Sequence, residues 1–133
     1  MIIFKDDAQK AEFARLDNRL QTILIYLSGL AEHLYHKSVV ITHLWRTQEG
    51  QDEIYSGNTA YQSRPWTSVH QVGRGADIRS YVYTPAEINN LVSELNSTFA
   101  YGGGRQTAIC HDVGHGQHFH IQVPYRGGRQ HFL

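Results

Sequence analysis

Apolar residues recur at intervals of three and four between residues 8 and 35: Phe13, Leu16, Leu20, Ile23, Leu24, Leu27, Leu30, Ala31 and Leu34. That spacing is the period of an amphipathic helix with one face turned to a core. The run is long, so a break is expected near Asp17 or Gly29, and Asp6 or Asp7 supplies a starting cap. Residues 2–4 are apolar and suit a short edge strand. After the helix the pattern changes. Residues 38–45, Ser-Val-Val-Ile-Thr-His-Leu-Trp, are β-branched and apolar, as in a central strand. Thr47 then caps a short helix reaching Tyr55, and residues 56–67 have the composition of a loop.

Farther on, residues 75–80 are expected to be extended. Thr84, Pro85 and Glu87 form a capping box with proline at the first helical position. Ile88, Leu91, Val92, Leu95 and Phe99 give that helix its buried face, and Tyr101-Gly102-Gly103-Gly104 ends it. Residues 107–110 and 118–123 read as two more strands with a turn over 112–116 between them. Pro124 and Gly127-Gly128 finish the fold and leave a tail. The expected architecture is a single α+β domain over residues 1–133. It has a small antiparallel sheet, helices on one side of it and an exposed face on the other.

Composition narrows the partners. The chain has 133 residues, and with neutral histidines its formal net charge is zero. No overall basic field attracts nucleic acid or an anionic membrane, so neither is expected as a partner, and the chain is read as a monomer. The single cysteine, Cys110, excludes an internal disulfide framework. Residues 1–7 lack the basic start and apolar run of a secretory signal, and no stretch approaches the roughly 18 apolar residues that span a bilayer. Synthesis in the cytoplasm is expected.

Histidine is the unusual component, nine in all. Ser68-Val69-His70-Gln71-Val72-Gly73-Arg74-Gly75-Ala76-Asp77 places a histidine and an aspartate seven residues apart, with two glycines that let the backbone aim both side chains at one point. Near the C-terminus, residues 118–123 alternate. Phe119, Ile121 and Val123 share the core face, and His118, His120 and Gln122 share the other. Packing alone does not explain a strand with two imidazoles on its polar side. Two histidines and a carboxylate make a catalytic zinc shell with one position open for water. His70, Asp77 and one of His118 or His120 can supply it. The other histidine is then suited to moving protons.

These residues carry a resemblance. Ser68, His70, Gly73 and Asp77, followed by His118-x-His120, resemble the zinc peptidases of bacterial cell walls. That group comprises D-Ala-D-Ala carboxypeptidases, L-alanyl-D-glutamate endopeptidases among phage endolysins, lysostaphin and the hedgehog-like fold. Residues 41–47, ending in Arg46-Thr47, are similar to the strand that ends in an arginine in that family. The resemblance implies a hedgehog-like or DD-peptidase-like fold and Zn2+ held by His70, Asp77 and His120. It implies a catalytic His118, an Arg46 that holds a substrate carboxylate or carbonyl, and a Ser68 that binds substrate. The implied substrate is the peptide part of peptidoglycan, reached by release from a phage-infected cell or by recycling of wall fragments.

The chain departs from the family pattern at two places. Gly75 stands where alanine is commonest, and Gln117 stands where many members carry an acidic base. Glutamine takes no proton. Either His118 does the work, as in the H-x-H members, or hydrolysis is weakened and the chain is a zinc-containing binding or phage structural module. Bland roles remain open for Arg46, an ion pair with Glu49 or Asp52, and for Ser68, a cap on a backbone group. Asp112 and His115 are near enough in sequence to reach the site. Cys110 is expected to be packed, Gly102-Gly103-Gly104-Arg105 to be a turn, and Trp45, Tyr61 and Trp66 to line a groove.

Overall fold

The structure, a computed structural model, describes residues 1–112 and 116–125. The elements run β1 (Ile2–Ile3), α1 (Asp7–Ala14), α2 (Asn18–Tyr35), β2 (Val39–His43), α3 (Gln48–Ile54), α4 (Thr59–Ser63), a 3-10 turn (Val69–Gln71), β3 (Gly75–Arg79), α5 (Pro85–Thr98), β4 (Ala108–Asp112) and β5 (Gln117–Gln122). One five-stranded sheet has the order β1-β2-β3-β5-β4. It is antiparallel except at its edge, where β1 pairs parallel to β2. The fold is α+β, as expected. Among the described residues no helix is long and apolar enough to cross a membrane.

The expected helix breaks at Asp17 and not at Gly29. The Asp17 carboxylate accepts from the Arg19 backbone N–H, which caps α2. Its own N–H donates to the Gly73 carbonyl at 2.9 Å, so the helix start is tied to the loop after His70. Residues 56–67 are not wholly loop, because Asn58 caps the short α4. The capping box at Thr84 and Glu87 forms as read. Part of the 112–116 turn, with His115, and the Gly127-Gly128 tail lie outside the described residues.

The core lies between the sheet and the helices α2 and α5. Leu20, Ile23, Leu24 and Leu27 of α2 and Leu91 and Leu95 of α5 meet Ile41, Ile78, Phe119 and Ile121 of the strands. Truncating a fully buried side chain such as Phe119 to alanine costs about 3–5 kcal/mol through lost burial and the cavity left behind. Phe119 and Ile121 are buried, while His118, His120 and Gln122 alternate to the opposite face. That face is less open than expected. The 3-10 turn and the C-terminal end of α3 border it, and the Asp77 side chain keeps only 15% of its accessible surface.

Candidate metal centre

The register of the strands assembles the site. His43 of β2 pairs with Asp77 of β3, and Asp77 pairs with His120 of β5. His118 sits opposite both Arg79 and His111. His70 arrives from the 3-10 turn, where the Ser68 hydroxyl accepts from the His70 N–H and the Gln71 amide completes a capping box. Gly75 allows this turn to lie against β3. A Cβ there would stand 2.5 Å from Val69 Cγ2 and 3.5 Å from His120 Cε1.

Strict alternation would put His43 in the core beside Val39 and Ile41. A register irregularity between Ile41 and His43 prevents that. One extra residue in an antiparallel strand re-aims the side chains beyond it. His43 therefore turns to the site face, its ring 4.6 Å from that of His70, and Leu44 takes the core position.

His70, Asp77 and His120 offer ligand atoms that all lie within 4.8 Å of one another. His70 Nε2 is 3.3 Å from Asp77 Oδ2, and His120 Nδ1 is 2.9 Å from Asp77 Oδ1. The other nitrogens decide what these contacts are. His70 Nδ1 lies 3.1 Å from the Leu44 carbonyl, which can only accept, so Nδ1 carries the hydrogen. His120 Nε2 lies 3.1 Å from Gln122 Oε1, and the Gln122 amide is oriented by its NH2 donating to the Gln106 carbonyl. Nε2 of His120 then carries the hydrogen.

Each neutral ring thus turns a lone pair toward an ionised carboxylate. Such an arrangement is repulsive unless a cation lies between, either a metal ion or an added proton on each ring. When the rings are protonated, burial works to raise the Asp77 carboxyl, and bonds from His120 and then His70 outweigh it. They hold it well below the usual carboxylate range. The donor set fits zinc, since two imidazole nitrogens and a carboxylate oxygen match its preferred ligands and leave a position open.

His118 is wired in the same manner. Its Nδ1 faces the Gly116 carbonyl at 3.1 Å, leaving Nε2 as the accepting nitrogen, 3.5 Å from Asp77 Oδ1. It stands outside the compact ligand group, at the mouth of a hollow of about 280 Å³ that Ser68, His70, Asp77, His111, His118 and His120 help to line. Arg46 borders the same hollow. The alternative left open for it, an ion pair with Glu49 or Asp52, does not form among the described residues: Nη1 donates to Gln51 Oε1 at 2.7 Å and Nε is buried with no partner among them.

Other expected residues fall elsewhere. Asp112 is exposed and accepts from the Gly116 N–H. Trp45 packs against Gly73 and beneath the Arg15 guanidinium, away from the hollow. Tyr61 is buried, donates to Asp52 and clusters with Tyr55 and Trp66, and of these three Tyr55 is the one that reaches the hollow. Cys110 is partly buried against the core, and burial raises its thiol. Gly102 and Arg105 bridge across a turn.

Sequence reading missed His43, His111 and the supporting roles of Gln122 and the Leu44 carbonyl. Alternation did place Gln122 on the right face, and the same rule applied to residues 108–112 separates His111 from Cys110. His43 had no such signal. The chain matches no protein-family model and no curated protein sequence.

Proposed function

We propose that this chain is a zinc-dependent peptidase that hydrolyses peptidoglycan stem peptides, as a DD-carboxypeptidase or an L-alanyl-D-glutamate endopeptidase of endolysin type. The observation that carries this reading is the wiring of the histidines. A carbonyl occupies the N–H of each ring, and the bare nitrogens of His70 and His120 converge on Asp77. The peptide substrate and the cell wall come from the resemblance of the Ser68–Asp77 segment and the His118-x-His120 pair.

His70, Asp77 and His120 would hold the zinc ion. When bound, zinc supplies a Lewis acid that acidifies water and polarises a carbonyl. His118 Nε2 accepts the proton of the attacking water and returns it to the leaving amine. The Arg46 guanidinium offers a fork for a substrate carboxylate or carbonyl. Ser68 holds the turn that carries His70 and borders the substrate hollow.

Metal analysis combined with a peptidoglycan digest tests this. Stoichiometric zinc and mass-identified peptide release are expected from the wild type, and His70→Ala, Asp77→Ala and His120→Ala should lose both. Full zinc content and unchanged hydrolysis in all three variants would overturn the assignment.

Gln117 favours a second reading, a metal-holding binding or phage structural module without turnover. Gln117 is exposed at the start of β5 and does not line the hollow around His70, Asp77 and His120. In that case zinc binds and stabilises the fold, and the digest releases nothing.

A further inference from the structure

Beyond the metal-facing hollow lies a larger cleft of about 750 Å³. The two share Arg46, Tyr55, Asp77 and His118, so they are continuous. The larger one extends along β3 to Arg79, Ser80 and Tyr81.

Its charges are one-sided. Asp77 is the lone acidic residue among those lining it, and that carboxylate faces His70, His118 and His120. Two guanidinium groups face the same space. Arg46 bonds to the neutral Gln51 amide, and its Nε is buried without a partner among the described residues. Arg79 has the parity of Asp77 on β3, and its guanidinium lies 5.0 Å from the Tyr81 ring. Neither arginine makes an ion pair among the described residues. Elsewhere the fold does pair half-buried cations, Arg19 with Asp17 and Lys37 with Glu87. His43 Nε2, re-aimed by the bulge in β2, is a further buried polar atom at this cleft with no partner among the described residues.

Two guanidinium groups without an ion pair and a ring nitrogen without a partner among the described residues, all around one cleft, call for an anion with more than one acceptor. We propose that the cleft is a carboxylate subsite in which Arg79 takes an acidic group of a peptide anchored by Arg46, so that the protein selects acidic peptides. This rests on the reading of the neighbouring centre as a peptidase. Arg79, His43 and the cleft beyond Arg46 would then set specificity, and not the chemistry.

Calorimetric titration of the zinc-loaded protein tests it with three probes: acetyl-Ala-Glu with a free α-carboxylate, acetyl-Ala-Glu amide and acetyl-Ala-Gln amide. Affinity should fall in that order, about tenfold per lost carboxylate at low salt, and less at high salt. Arg79→Gln should abolish one of the two steps, and Arg79→Lys should restore part of it, because an ammonium keeps the charge without the fork. Unchanged zinc content and circular dichroism confirm that each variant is folded. Equal affinity for all three probes, or full discrimination in Arg79→Gln, overturns the proposal. The two readings fail separately. Arg79-dependent binding without cleavage of any wall peptide keeps the subsite and sinks the peptidase, whereas cleavage without discrimination does the reverse.

Discussion

Gln122 Oε1 stands 3.1 Å from His120 Nε2, and this contact determines which nitrogen His120 presents to Asp77. The supporting amide is itself fixed by the Gln106 carbonyl. Gln122→Leu leaves the Nε2 hydrogen without its acceptor and frees the ring to take either tautomer. Zinc affinity should drop about 10–100-fold, as for other supporting contacts behind metal ligands. Competition against a chromophoric chelator measures it, and an unchanged constant would show that the contact does not orient the ligand.

The balance between His118 and Gln117 makes a sharper test. His118→Ala removes the nitrogen that faces the centre, so turnover should fall about 10²–10⁴-fold while zinc content holds. Gln117→Glu adds a carboxylate at the exposed first residue of β5, which lines the larger cleft and not the hollow around His70, Asp77 and His120, and turnover should move little. A large gain in Gln117→Glu would mean that the first residue of β5 turns toward the centre during the reaction.

His43 gives a pH signature. Burial, then the charges of His70 and Arg46, lower it from 6.5 to about 4, against a smaller opposing pull from Asp77. Between those values the unfolded chain binds a proton that the folded chain refuses. Stability of the metal-free protein should therefore decline as pH falls from 6.5 toward 4 and lose this dependence below it. The ring is partly exposed, so screening reduces the effect to about 1–2 kcal/mol. Urea midpoints of wild type and His43→Gln across this range give the difference, and parallel curves would exclude His43 as its source.

Gly75 tests the seat of the 3-10 turn. An alanine Cβ would press on Val69 Cγ2 at 2.5 Å and touch the His120 ring. Gly75→Ala should cost about 1–3 kcal/mol by overpacking and weaken zinc binding. Adding Val69→Ala should recover most of the stability in thermal unfolding. A Gly75→Ala protein as stable as wild type would mean that the turn can lift away from β3 freely.

The order of elements was legible in periodicity and caps. Asp17, Thr47 and Thr84 each begin a helix, because a side-chain oxygen before an apolar run satisfies the free N–H groups of a first turn. The site face of β5 was legible for a similar reason, since alternation is a local rule. His43 was hidden because its direction depends on a bulge, which belongs to the pairing of β2 with β3 and not to either strand alone. The parallel pairing of β1 was hidden likewise, since two apolar residues carry no signal of direction. The partner of Arg46 went unread because a buried glutamine, Gln51, takes the place of Glu49 and Asp52, and its amide is oriented by donating to the Trp66 carbonyl, a contact no local pattern announces.

The pairing of Asp77 with His120 across β3 and β5 has a consequence for the life of the chain. The residues that would grip the ion are separated by fifty positions between His70 and His120, and they meet only when β5 has docked between β3 and β4. A chain still emerging from the ribosome, or one clipped between those strands, has the histidines without their geometry. Metal capture by this group would therefore wait for β5, the last of the described strands, and would report that β3, β5 and β4 have come together.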